Sequence, residues 1–145
     1  MLALRRIDGY NFNKIIALQV TEEQRDYVAS NVFSLAEAYA MPECTPLGVY
    51  NGMEPVGFVM YALDAEDNEY WIYRLMIDAK YQHMGYGREA LRLTIAEIRR
   101  IAPEKKVLYI SFEPDNAVAK HLYGSFGFEP DGRTVDGETV YRLAL

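Results

Sequence analysis

Gly85 and Gly87 stand two residues apart in the run Gln82-His83-Met84-Gly85-Tyr86-Gly87-Arg88, directly ahead of a segment with strong helical spacing. Glycine lets a backbone approach a ligand closely, and the unpaired N–H groups and dipole of a helix start favour an anion. Lys80, Arg88 and Lys120 can neutralise further phosphate charge. Alone, Gly-x-Gly often marks only a tight turn; a helix that follows at once shifts the reading toward phosphate. A nucleoside-triphosphate loop needs Gly-x-x-x-x-Gly-Lys-Ser/Thr, and here Gly87 is followed by Arg88-Glu89, so that reading fails. A dinucleotide fingerprint with Ala90 in place of the third glycine is disfavoured by the long preceding loop and too few βαβ units.

A second constellation lies downstream, where Asn116 is followed by Tyr123 and then Gly127-Phe128. A phenol with an ordinary pKa of about 10 stays protonated at neutral pH and can donate a proton; a tyrosine that only packs between helix and sheet is the alternative. Glu22, Glu23, Glu69 and Glu113 are the acids available as a general base, each a solvated surface acid when taken singly. His83 and His121 lack a third ligand, so no metal site is expected. Cys44 follows Pro42-Glu43 with no histidine near it, which argues against a nucleophile.

These residues need elements to hold them. Leu2, Leu4 and Ile7 mark a first strand and Phe12 to Leu18 a helix. Thr21-Glu22-Glu23-Gln24 has the form of a capping box that starts a second helix, and Ser34 with Glu37 repeats the signal for a helix to Tyr39. From Leu47 the period changes to a hairpin turning at Asn51-Gly52, with Val56 to Leu63 as its return strand. Tyr70 to Ile77 is nearly continuous in apolar residues, as a central strand is. Gly85 to Ile101 predicts the best helix, with Leu91, Ile95, Ile98 and Ala102 on one stripe. Val107 to Phe112 reads as a buried strand, Ala117 to Phe126 as a short helix, and Phe128 to Val135 with Val140 to Leu143 as a hairpin turning at Asp136-Gly137.

In Gln82-x-x-Gly85-x-Gly87 opening a long helix, followed by Asn116 and Leu122-Tyr123-x-x-x-Gly127-Phe128, the sequence resembles the GCN5-related N-acetyltransferase family over nearly its whole length. Val20-Thr21-Glu22-Glu23-Gln24, Tyr27 to Ser30 and Gly57 to Tyr61 look most like bacterial spermine/spermidine acetyltransferases. The resemblance implies an α/β fold with a mixed, mostly antiparallel sheet of six to seven strands flanked by helices, whose fourth and fifth strands splay to admit acetyl-CoA. It further implies backbone contacts from Met76 and Ile77, amides of Gln82 to Arg88 on the pyrophosphate, Asn116 on the cofactor arm, and Tyr123 as proton donor to the leaving thiolate. Glu113, ending the fifth strand where the sheet should open, ranks first as base. Two departures stand out: Gly124 occupies a place where many relatives have a basic residue that contacts the 3′-phosphate, and Tyr73-Arg74 stand where some polyamine-acetylating relatives have a carboxylate.

At 145 residues, half of them hydrophobic, one acyltransferase domain spanning 1–145 is expected. The 15 basic against 21 acidic residues, a net charge of -6, oppose a nucleic-acid partner and suit a cationic small substrate. Glu22, Glu23, Asp26 and Glu37, interleaved with tyrosines, are the acids that a polyamine acceptor would meet, and Tyr27, Tyr39 and Tyr61 are offered as pocket residues. The reaction expected is acetyl transfer from acetyl-CoA to a primary amine, a polyamine by resemblance. Acetylation of an amino acid, antibiotic amine or peptide N-terminus, or a non-catalytic CoA-binding module, are the alternatives. The charged N-terminus and the lack of a ~20-residue apolar run point to a cytoplasmic protein without a membrane partner, and a single cysteine to a reducing setting. A homodimer is expected from the resemblance alone.

Overall fold

The computed structural model describes all residues, Met1–Leu145. Along the chain run β1 (Leu2–Arg6), α1 (Phe12–Ala17), a 3-10 turn (Glu22–Gln24), α2 (Asn31–Ala40), β2 (Cys44–Asn51), β3 (Glu54–Leu63) and β4 (Tyr70–Ile77). A second 3-10 turn (Ala79–Tyr81) then leads to α3 (Tyr86–Ile101), β5 (Val107–Phe112), α4 (Ala117–Ser125), β6 (Glu129–Val135) and β7 (Glu138–Ala144). The seven strands form one sheet in the order β1-β2-β3-β4-β5-β7-β6, antiparallel throughout except for the parallel pair β4 and β5. No helix is long and apolar enough to cross a membrane.

Helix α3 follows from its apolar stripe: Leu91, Ile95, Ile98 and Ala102 are all buried, joined by Ala90 and Thr94. Ala90, Leu91, Ile95 and Ile98 pack with Val56, Val59, Ile72 and Leu108 in the larger core. The opposite face of the sheet carries a smaller core of Ile15, Tyr50, Phe58, Met60 and Met76, covered by α1 and α2. Close approach of β3 and β4 is set by Gly57, where a Cβ would lie 2.5 Å from the Met76 carbonyl oxygen.

Three boundaries differ from the sequence reading. Only one 3-10 turn follows Thr21, although Gln24 Oε1 does accept from the Thr21 N–H at 3.3 Å, as in a capping box. Helix α2 starts earlier, capped by Ser30, whose Oγ accepts from the Phe33 N–H at 3.1 Å; Ser34 lies inside the helix and donates its hydroxyl to Ser30 O. In the β2–β3 hairpin Asn51 pairs with Glu54, so the turn is Gly52-Met53, with only Gly52 at positive φ (62°), as a type II′ turn requires. The Asp136-Gly137 turn has φ of 50° and 82°, both positive as in a type I′ turn.

The splay of the two central strands has a local cause. Tyr61 pairs with Ile72 and Met60 with Arg74, which leaves Tyr73 as an extra residue in β4. A bulge bends its strand. Pairing of β4 with β5 stops at the same place, at Ile72 opposite Ile110, and Tyr73–Ile77 run on without a partner on that side.

Candidate active site

The parting of β4 and β5 opens a cleft of about 280 Å³ between the Tyr73–Ile77 half of β4, the end of β5, the start of α3 and one face of α4. Strand parity decides which backbone groups face it. The Asp78 N–H donates to Val56 O at 2.9 Å, making those two a hydrogen-bonded pair. Gly57 lies opposite Ile77 and Phe58 opposite Met76. Since such pairs alternate along an antiparallel ladder, Met76 turns its N–H and C=O to Phe58, while Leu75 and Ile77 turn theirs into the cleft. The sequence reading named Met76 and Ile77 but not Leu75; Met76 lines the cleft although its backbone is paired with Phe58.

The loop after β4 is tied down before it reaches the helix. Asp78 caps the Ala79–Tyr81 turn by accepting from the Lys80 N–H, and also accepts from the Gln19 N–H at 2.8 Å. Gln82 donates its side-chain N–H groups to Ile77 O at 2.9 Å and Gln24 Oε1 at 2.8 Å. Its side chain therefore braces the end of β4 and is not free for a ligand. His83 and Gly85 take positive φ, 66° and 79°, and bring the chain round to the start of α3. There the first helical bond runs from Glu89 N–H to Gly85 O, so the amides of Tyr86, Gly87 and Arg88 have no backbone partner. Nothing lies nearer than 3.9 Å to a Cβ placed on Gly87, which keeps the space in front of these amides open. Unpaired β4 groups, a bare helix start and a glycine between them fit the amide arm and the phosphates of a CoA-type ligand.

Gln82, His83, Gly85, Tyr86 and Gly87 line the cleft; Met84 and Arg88 do not. Arg88 crosses to α4 instead, where its Nη1 donates to Ser125 Oγ at 2.6 Å and its guanidinium lies 4.6 Å from the Phe126 ring. Asn116 caps α4, its Oδ1 accepting from the Ala119 N–H at 3.2 Å, and lines the cleft. Tyr123 lines it from the same helix, its ring fixed between Phe112 at 5.5 Å and Phe128 at 5.7 Å. Burial pushes its hydroxyl well above the ordinary phenol range, and the Glu138 carboxylate adds to the shift.

The acids are placed differently. Glu22 and Glu23 are exposed on the 3-10 turn and stay out of the cleft, whereas their neighbours Gln24, Tyr27 and Val28 line it. Glu113 is half-buried at the rim, between Phe112 and Asn116, which both line the cleft. Glu37 binds Arg74 at 3.0 Å, and Arg74 also donates to Tyr73 O at 3.0 Å, so this acid is spent on holding the bulge. Tyr73 donates its hydroxyl to Asp64 at 2.6 Å, an interaction that with burial raises its pKa far above the usual phenol value. Of the tyrosines offered for a pocket, Tyr27 lines the cleft, Tyr61 is in the larger core and Tyr39 is 92 % exposed.

Comparison with known proteins bears on the family and the fold. The acetyltransferase (GNAT) family model matches residues 12–128. The spermine/spermidine N(1)-acetyltransferase of Bacillus subtilis (strain 168) is 30% identical over 144 residues, 94% of each chain. Among solved structures, an acetyltransferase from Thermus thermophilus superimposes with a TM-score of 0.79 at 20% identity, over 100% of this chain and 97% of that one. The PaiA N-acetyltransferase of Thermoplasma acidophilum, solved in complex with coenzyme A, gives 0.73 at 16% identity over 100% and 99%.

Proposed function

The chain belongs to the acetyltransferase (GNAT) family and is an acetyl-CoA-dependent N-acetyltransferase, and from that premise we propose that it acetylates a polyamine at a terminal primary amine in the β4–β5 cleft. The observation that carries the site assignment is the conjunction of the unpaired Leu75 backbone groups and Ile77 N–H with Tyr123 on the facing wall. Acetyl-CoA supplies an activated acyl carbon on a thiol leaving group. The Leu75 and Ile77 backbone binds the amide arm, and an N–H of this strand faces the oxygen on which negative charge grows. Amides of Tyr86, Gly87 and Arg88 hold the pyrophosphate, and Asn116 orients the arm. Tyr123 holds a proton at its hydroxyl for the departing sulfur, and its burial keeps that proton in place at working pH. Glu113, at the rim, takes the proton of the attacking amine through water.

Support for a polyamine comes from the Bacillus relative named for spermine and spermidine and from the net charge of -6. Tyr27 and Tyr73 offer ring faces to methylene segments. A second reading, a monoamine acceptor, is favoured by one observation: no Asp or Glu lines the cleft. The deciding experiment mixes the protein with acetyl-CoA and a panel of amines and follows free thiol. Spermidine and spermine should release thiol fastest. Good turnover with amino acids or aminoglycosides and none with either polyamine overturns the acceptor while leaving acetyl transfer in place.

A further inference from the structure

Beside the cleft lies a second cavity of about 360 Å³, bounded by the end of α1, the segment from Gln19 to Ala29 and the start of α2. Val20, Val28 and Met76 line both cavities, so the two chambers meet at a wall of three apolar side chains. Asn31 lines only the second and is 3 % exposed. Its amide nitrogen is committed: it donates to Ile15 O at 2.8 Å and to Met76 Sδ at 3.8 Å. Those two contacts fix which end of the amide faces which way, and they leave Oδ1 without a hydrogen-bond partner. Oδ1 is not sealed off as a buried atom but is open to the chamber, where a ligand can replace the water that would donate to it.

The lining says what such a donor is attached to. Neither chamber has a carboxylate in its wall, so the far end of a bound molecule meets a neutral oxygen rather than an ion pair. Val20, Val28, Met76 and Leu18 suit an aliphatic chain between that end and the cleft. Arg25 is the one charged residue in the wall of the second chamber; its side chain is exposed and hydrogen-bonded to Gln19 at 3.5 Å. Glu22, Glu23 and Asp26 on the same segment outnumber it, so the field at the chamber still favours an amine over an anion.

We propose that this chamber is a distal acceptor subsite, in which Asn31 Oδ1 accepts a hydrogen bond from an N–H or O–H at the far end of an aliphatic primary amine whose near end is acetylated in the cleft. The proposal rests on the acetyl-transfer reading and deepens it. Diamines, polyamines and amino alcohols share the required chemistry.

The test is calorimetric titration of the CoA-loaded protein with three acceptor series of increasing length: alkylamines, diaminoalkanes and amino alcohols. Short members of the three series should bind alike. Beyond the length that passes Val28 and Met76, the diamine or the amino alcohol should bind about tenfold more tightly than the alkylamine of equal length, the effect of one added hydrogen bond. The series that gains identifies the donor. Ala29→Phe, which fills the second chamber, should bring the long-to-short affinity ratio back to about that of the alkylamines. Asn31→Leu should do the same, with its melting temperature checked for folding. A wild-type protein with no such gain holds only water on Asn31, and a gain that survives Ala29→Phe is made elsewhere; either result overturns the subsite. Long diamines that bind as described but release no thiol from acetyl-CoA would sink acetyl transfer and spare the subsite.

Discussion

On the donor side of the cleft the contacts offered are backbone: Leu75 and Ile77 from β4, Tyr86 to Arg88 from α3, with Gly87 keeping the approach clear. On the acceptor side they are side chains from separate segments: Gln24, Tyr27 and Val28 from the turn region, Tyr73 and Arg74 from the bulge, Asn31 from α2. The anchoring differs in step. Helix α3 buries five residues, four of them in the larger core, whereas α2 buries only Asn31 and Ser34, and its Val32, Phe33 and Tyr39 are exposed. A donor common to a whole family can be held by groups that every residue type carries, on a rigid helix. An acceptor that varies must be read by side chains, on an element with fewer ties.

If that division holds, the largest effect of a single substitution should come from the donor-side group whose side chain supplies the proton. Tyr123→Phe keeps the ring between Phe112 and Phe128 and removes the proton. Turnover should fall by ~10²–10⁴ with acetyl-CoA affinity nearly unchanged. The sign of the pH dependence follows from burial. A hydroxyl pushed above the usual phenol value stays protonated through and beyond pH 9, so no alkaline fall in kcat below about pH 10 should trace to it. An alkaline limb near pH 8 that disappears in the Phe variant would overturn the burial-raised hydroxyl while keeping Tyr123 as donor, and near-normal turnover would return it to packing.

Next in size is the loop. At Gly87 a Cβ meets only Ile77 and Leu122 at 3.9 Å, so a side chain there fits the fold but projects toward the phosphate amides. Gly87→Val should weaken acetyl-CoA binding by at least ~10-fold while the melting temperature holds or rises, since glycine is the poorer helix former. Calorimetry showing unchanged affinity in the folded variant removes the phosphate-loop assignment. It would also remove the backbone half of the comparison.

The same division explains what could be read without coordinates. Tyr70–Ile77, α3 and the Gly85-x-Gly87 join were legible because each rests on local pattern: continuous apolarity, a 3.6-residue stripe, a glycine pair before a helix. The turn at Gly52-Met53 was misplaced by one residue because the pairing of Asn51 with Glu54 fixes it, and pairing is not local. The start of α2 was misread because Ser30 and Ser34 look alike in sequence, and only burial separates a cap from a hydroxyl folded back on its own helix. Choosing Leu75 over Met76 as a backbone contact needs the register of β3 and β4 and the bulge at Tyr73, neither of which the string Tyr73-Arg74-Leu75-Met76-Ile77 carries. Asn31 escaped notice for the same reason. Nothing about an asparagine two residues before a phenylalanine says that its oxygen will face a chamber.

The smallest expected effect belongs to Glu22 and Glu23, and it sharpens the comparison from the acceptor side. Both carboxylates are exposed on the Glu22–Gln24 turn, and neither lines the cleft or the chamber beside it. Through solvent, a carboxylate at that distance attracts a cation only as part of the field of the whole segment, and salt screens that attraction within a Debye length of about 10 Å at 0.1 M. Exposed ion pairs contribute ~0.2–1 kcal/mol, so Glu22→Gln or Glu23→Gln should raise the Michaelis constant for a polyamine by less than about five-fold. The change should vanish in high salt and be absent for a short monoamine. Asn31→Leu, by contrast, acts through a buried neutral contact, and its effect should survive salt. A rise of about a hundredfold in either glutamine variant would mean that the Glu22–Gln24 turn folds inward when the acceptor binds, and that the acceptor site is completed by carboxylates after all.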